Sequence, residues 1–225
     1  MILDRIATFL DHVLNVIIVI VCLFMMLIGS YTFYDRLIHG ELFNGGSLLT
    51  DRNEGYENQI GWIKIDGTNI NYPVLQGKDN YEYLEKNPKG EIDTDGSIFL
   101  EWSNDRLLRD EFSIIYGQHP APEKMFSTLG RFLERDFFDA HQNGTITVSD
   151  HKYSLKIFAA YKVETSNSFI YSPSLRTAES IINFIKTRAE IYKEPDDTNG
   201  RIVALSTCSK EKELFQVIVF GTISE

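Results

Sequence analysis

The sequence predicts a mainly β (α+β) protein: a mixed, largely antiparallel β-barrel with two inserted helices, tethered by one N-terminal membrane-spanning helix. Three observations predict it. From Gly61 onward, short apolar or alternating runs recur between turn signals, giving about eight strands. Two longer stretches instead carry apolar residues at helical spacing. Near the start, Val16 to Ile28 reads VIIVIVCLFMMLI with no polar residue.

The anchor comes first in the chain. Extending the apolar run to Val13 and Phe33 gives 21 residues, interrupted only by Asn15, Gly29, Ser30 and Thr32 among weakly polar types. As a helix it is roughly 31 Å long, about the thickness of a bilayer core. A cleaved signal peptide is the rival, but it needs a positive start and a small-x-small cleavage site. This start holds Asp4, Arg5 and Asp11, and no Ala-x-Ala follows. The expected organisation is a cytoplasmic segment over 1–12, an anchor over 13–34, a polar stalk with a helical turn over 35–58, and the folded domain over 59–225. Arg5 and Arg36 balance across the span, so charge does not orient it. The bulk of the chain follows the anchor and is placed outside the cell on that ground.

Within the domain, Trp62–Ile65 alternates and stops at Asp66-Gly67, a hairpin-type turn. Ile70–Leu75 follows, with Pro73 demoting it to an edge or a bulge. Ser97–Leu100, Phe112–Tyr116, Thr145–Val148 and Tyr153–Val163 read as further strands, the last two flanking a turn at Ser149-Asp150. Ile202–Thr207 and Leu214–Ile223 are nearly continuous apolar runs, the mark of strands buried on both faces. One helix is expected where Met125, Phe126, Leu129, Phe132, Leu133 and Phe137 recur. A second, near 174–192, carries Leu175, Ala178, Ile181, Ile182, Ile185, Ala189 and Tyr192 after a Pro173-Ser174 start signal. These stripes are core faces.

Charge and motifs exclude several functions. The net charge is -10; residues 1–50 hold two Lys/Arg and four Asp/Glu, a net -2, which leaves -8 on the rest. Nucleic-acid phosphates need the opposite sign. Glu91-Ile92-Asp93-Thr94-Asp95-Gly96 resembles a calcium loop, but that loop requires a Glu where Trp102 stands, and Glu101 misses by one. It is read as an acidic turn. Asn143-Gly144-Thr145 matches a glycosylation sequon and is better explained as a turn. No zinc spacing, phosphate-binding glycine loop or Gly-x-Ser-x-Gly elbow occurs, so no metal is expected.

Two cysteines are present, Cys22 inside the apolar run and Cys208 near the C-terminus. They cannot plausibly pair, which leaves Cys208 as a lone thiol in the exposed domain: either a buried small hydrophobe or a reactive group. It ends the strand Ala204-Leu205-Ser206-Thr207-Cys208, and Lys210 and Lys212 in the following loop would favour thiolate. His119 ends another strand, after Ile114-Ile115-Tyr116-Gly117-Gln118, and precedes Pro120. A Cys and a His at strand ends fit nucleophilic acyl transfer.

At this point the sequence resembles the class B sortases. The resemblance rests on Leu205-Ser206-Thr207-Cys208, Ile114-Ile115-Tyr116-Gly117, Met125-Phe126, Gly61-Trp62-Ile63-Lys64-Ile65, Asn69-Ile70-Asn71-Tyr72-Pro73-Val74, and Gln76-Gly77-Lys78-Asp79-Asn80 with Tyr83-Leu84. The long helix ahead of the Cys strand belongs to the same pattern. It implies a closed eight-stranded sortase barrel and a membrane-anchored cysteine transpeptidase of a Gram-positive cell surface. Such an enzyme cuts a C-terminal sorting signal after Thr and holds the acyl group on Cys208. It then passes it to an amine, of a cell-wall precursor or of a pilin lysine. No cofactor is implied. Two positions depart from the family pattern: Gln118 stands where its His follows Tyr-Gly, with His119 next, and Gln216 stands where its Arg falls. His119 is expected to donate the proton to the leaving amine. Gln216, with Gln118 and Thr207, is a candidate for positioning substrate or oxyanion. The alternatives are a sortase-fold binding or assembly factor with little catalysis, and a cysteine hydrolase.

Overall fold

The computed structural model describes residues 14–27, 30, 55–120, 122–164, 169–197, 200–208 and 215–225. The chain divides into two units, Met1–Glu54 and Gly55–Glu225. In the first, residues 14–27 are helical. Among the described residues no helix is long and apolar enough to cross a membrane. The remainder of the expected anchor except residue 30, and stalk residues 35–54, lie outside the described residues.

The second unit is a barrel. Its strands are β1 (Gln59–Ile65), β2 (Asn71–Leu75), β3 (Ile98–Leu100), β4 (Phe112–Gln118), β5 (Asn143–Val148), β6 (His151–Glu164), β7 (Ile191–Tyr192), β8 (Arg201–Cys208) and β9 (Phe215–Ser224). The pairing order is β5-β1-β2-β3-β4-β8-β9-β6-β7, and β5 also pairs with β6. That last pairing closes eight strands into a ring and removes its edges. The two-residue β7 stays outside the ring, against Ala159 and Ala160 of β6. Two of the ladders, β2–β3 and β4–β8, are parallel.

Side-chain alternation divides the apolar residues into two clusters. Ile63, Ile115, Val203, Leu205 and Val219 belong to the one that fills the ring, capped by Phe126, Leu129 and Phe132. Ile114, Tyr116, Ile202, Ala204, Ile218 and Phe220 belong to the other, with Ile181, Ile182 and Ile185. Those isoleucines form the buried face of the helix Ala178–Lys186. Burying each contributes about 1.5–3 kcal/mol. A capping box between Thr177 and Ser180 starts the helix, and the Glu111 carboxylate accepts from Ala178 N at 3.0 Å. Strands β4 and β8 therefore serve two cores at once, as the continuous apolar run of β8 predicts.

Both expected helices are shorter than their stripes. The segment from Met125 to Phe137 is a 3₁₀ helix, Ser127–Leu133, broken at extended Glu134 and followed by the helix Arg135–Ala140. Its apolar residues still reach the core. The stretch 174–192 begins as the 3₁₀ turn Pro173–Leu175, and the helix proper ends at Lys186. Ile191 and Tyr192 leave it because β6 offers them ladder partners, and tertiary pairing overrides local spacing. Asn143-Gly144 is not a turn but the start of β5. Gly144 lies opposite Ile65 and Leu155, where a Cβ would meet Lys64 O at 2.5 Å. Pro73 sits opposite Trp62 of β1, one residue before the β2–β3 ladder begins at Val74, so it is paired on one side only.

Gly117 is a tight point near the end of β4. A Cβ there would lie 2.3 Å from Ile98 Cδ1 and 2.8 Å from the ring of Phe126, which is fully buried. Gly117→Ala is expected to destabilise the domain by about 1–3 kcal/mol through overpacking, measured as a lowered urea midpoint at unchanged slope.

Candidate active site

The site is built where two parallel strands end together. The β4–β8 register pairs Gly117 with Thr207 and Gln118 with Cys208. Neighbouring residues on a strand face opposite sides, and in-register partners face the same side. Gln118 and Cys208 thus share one face with Tyr116 and Ser206, while Thr207 looks to the other.

On the Thr207 side lies a cavity of about 870 Å³, lined among others by His119, Asn69, Thr128, Arg131 and Val217. Thr207 is buried, and its Oγ1 accepts from Val217 N at 2.9 Å, prolonging the β8–β9 contact beyond the last paired residues, Ser206 and Ile218. His119 follows β4 directly and borders this cavity. The other described histidines are engaged elsewhere. His141 stacks on Phe137 at 4.0 Å, with Nδ1 at 2.8 Å from Phe137 O, and His151 lies 3.8 Å from Glu225.

On the Cys208 side the surroundings are aromatic and polar. Gln118 is buried and its Nε2 donates to Leu84 O. The Tyr116 hydroxyl donates to Glu101 at 2.8 Å, and Asn80 Nδ2 donates to the same carboxylate oxygen at 2.6 Å. The Tyr116 ring stacks on Tyr171 at 6.5 Å. The Tyr171 hydroxyl donates to Gln216 Oε1 and lies 3.5 Å from Ser206 Oγ. Gln216 is therefore on the face of Cys208, since its neighbour Val217 meets Thr207. Burial pushes the Cys208 thiol up to about 12. Burial likewise raises Tyr171 to about 12, and raises Tyr116 further, with the Glu101 carboxylate adding to the shift. Lys210 and Lys212, expected to favour thiolate, lie outside the described residues.

The structure thus brings Cys208, Gln118 and Gln216 to one face and sets Thr207 and His119 on the cavity side. Sequence reading missed Glu101 and Tyr171 as members of this site. Glu101 entered it only as a misplaced calcium ligand. Tyr171 lies two residues before Pro173 with no periodic signal. Among the described residues no group of three or more His, Cys, Asp or Glu could hold a metal ion.

No family model matches the chain. It is 34% identical over 152 residues to sortase B of Staphylococcus aureus, covering 66% of this chain and 62% of that protein. It is 34% identical over 169 residues to sortase B of Listeria monocytogenes, covering 73% and 68%. The chain thus spans less than two thirds of the first relative's length. Among solved structures, a Staphylococcus aureus sortase B–substrate complex superposes with a TM-score of 0.70 at 30% identity, covering 76% of this chain and 82% of that one. A Streptococcus pyogenes class B sortase involved in pilus biogenesis superposes at 0.67 and 32% identity, covering 74% and 92%.

A thiol held up by burial predicts its own reactivity profile. Alkylation of Cys208 by iodoacetamide, followed on its peptide by mass spectrometry, is expected to rise about tenfold per pH unit from about pH 8 to about pH 10 without a plateau. A plateau near neutral pH would mean that an imidazolium partner holds the thiolate.

Proposed function

The chain belongs to the class B sortases, and we propose that it is a cysteine transpeptidase with Cys208 as its acyl-carrying nucleophile. One observation carries the reading. Cys208 sits at the exit of a strand buried on both faces, in register with the end of β4 and beside a polar cluster, and it is the one cysteine of the unit Gly55–Glu225. A rigid strand end beside a loop lets a thiol meet substrate while its backbone stays fixed.

The reaction runs in two halves. The Cys208 thiol attacks the carbonyl carbon of the Thr in a C-terminal sorting signal, its proton passes to His119 as the C–S bond forms, and the C–N bond after Thr breaks. His119 gives that proton to the departing amine, the role of a general acid. An incoming amine, of a cell-wall precursor or a pilin lysine, then attacks the thioester, loses a proton, and releases Cys208 as thiol. Gln216 offers amide N–H donors in place of a charged group at the oxyanion, and Gln118, whose Nε2 is bonded to Leu84 O, offers its amide oxygen to a substrate N–H. Thr207 fixes the start of β9, and with it Gln216.

Two observations favour a second reading, a sortase-fold binding or assembly factor. Gln118 rather than an imidazole is in register with Cys208, and the thiol is pushed up rather than down. Full-length protein with a panel of Thr-containing sorting peptides and triglycine separates the readings. The transpeptidase forms a thioester on Cys208 and a triglycine-linked product, the hydrolase releases only acid, and the binding factor does neither. Cys208→Ala is expected to abolish the adduct. His119→Ala is expected to slow turnover about 100-fold or more, whereas Gln118→His and Gln216→Arg are expected to accelerate it. Undiminished turnover in His119→Ala would remove His119 from the mechanism.

The uncleaved anchor over residues 13–34 and an extracytoplasmic domain complete the proposal, supported by the apolar run and by helical residues 14–27. Protein from the native host is expected to fractionate with membranes and to retain Leu14–Leu27 on N-terminal peptide mapping. A mature N-terminus near residues 30–35 would show a cleaved signal instead.

A further inference from the structure

The geometry points to Tyr171 as a positioning residue that fixes which end of the Gln216 amide faces the reacting group. The inference rests on the transpeptidase reading above and deepens it. An unrestrained Gln amide presents either its oxygen or its NH₂ by turning over, and only the NH₂ end stabilises an oxyanion. The Tyr171 hydroxyl donates to Gln216 Oε1. With the Tyr171 hydroxyl donating, the amide oxygen is the end it holds, which leaves both Nε2 hydrogens for another acceptor.

Tyr171 is itself held on three sides. Its ring stacks on Tyr116 at 6.5 Å, and Tyr116 is tied through its own hydroxyl to Glu101. Its hydroxyl lies 3.5 Å from Ser206 Oγ, two residues before Cys208 on β8. Its chain segment is pinned through Phe169. That ring lies 4.4 Å from Phe184 of the helix Ala178–Lys186 and 3.9 Å from the Arg176 guanidinium, whose Nε donates to Phe169 O. Burial keeps the Tyr171 phenol protonated through neutral pH, so it remains a donor. A charged Arg at position 216 would need no such restraint, because every polar atom of a guanidinium is a donor.

The test uses full-length protein in detergent micelles, labelled with ¹⁵N in glutamine side chains, with the Gln216 amide pair assigned by its loss in Gln216→Ala. Tyr171→Phe is expected to shift that pair and to lower the acylation rate of the fastest sorting peptide about tenfold, with KM within about twofold. In a Gln216→Ala background the same change is expected to have no further effect on the rate. An unmoved amide pair in Tyr171→Phe overturns the proposal, and so does an equal rate loss in both backgrounds. A pair that moves in a protein that forms no thioester supports the contact and overturns the transpeptidase reading instead.

Discussion

The parallel ladder between β4 and β8 is the constraint on which the site depends. Both strands are buried on both faces, so neither can slip by one residue without turning the interior of the ring out against the helix Ala178–Lys186, and the reverse. The register that satisfies both cores pairs Gln118 with Cys208. Everything else about the site follows from that pairing. Residues of even number on these strands belong to the Cys208 side, those of odd number to the ring interior and its mouth. Gly117 lets β4 keep this register against Phe126 and Ile98, where a Cβ would overpack.

The same burial sets the electrostatics. Burial that pushes the thiol from its ordinary value up to about 12 disfavours thiolate by about 4 kcal/mol. Two unit charges at about 4 Å gain roughly 4 kcal/mol at an effective dielectric of 20 and about 1 kcal/mol in water. One imidazolium in contact would therefore offset the burial, whereas a cation on a solvated loop would not. Gln118, the residue in register with the thiol, carries no charge. Nothing charged at that register position offsets the burial of the thiol.

Much of this arrangement was legible in the sequence. Strand runs, the two-faced burial of β8 and β9, the closed ring of eight and the placement of Cys208 at a strand end follow from alternation, run length and motif resemblance. The helices were legible as faces but not as extents. A break at extended Glu134 shortens one, and the offer of a ladder by β6 takes Ile191 and Tyr192 from the other. His119 and Gln118 are adjacent in sequence, so alternation puts them on opposite sides and the register with β8 decides which one shares the face of Cys208. Glu101 and Tyr171 were not legible. Their partners lie 15 residues away for Glu101–Tyr116 and 45 for Tyr171–Gln216, and no periodicity encodes contacts of that separation.

The two glutamines then have a common physical reading. Each amide is already bonded within the protein, Gln118 through Nε2 to Leu84 O and Gln216 through Oε1 to Tyr171. The two bonds differ in what they leave over. Gln118 spends a donor on a carbonyl, and its oxygen remains the more available end, so it is suited to accept from a substrate N–H. Gln216 spends its acceptor, and both its N–H groups remain for an oxygen that gains charge. A peptide bond offers both kinds of group, an N–H and a carbonyl. Two neutral amides of opposite presentation beside one thiol can therefore orient an extended peptide without the desolvation cost that a buried charge would carry. What they cannot supply is a proton at neutral pH, which is why the assignment of His119, one residue beyond the register, decides between catalysis and binding.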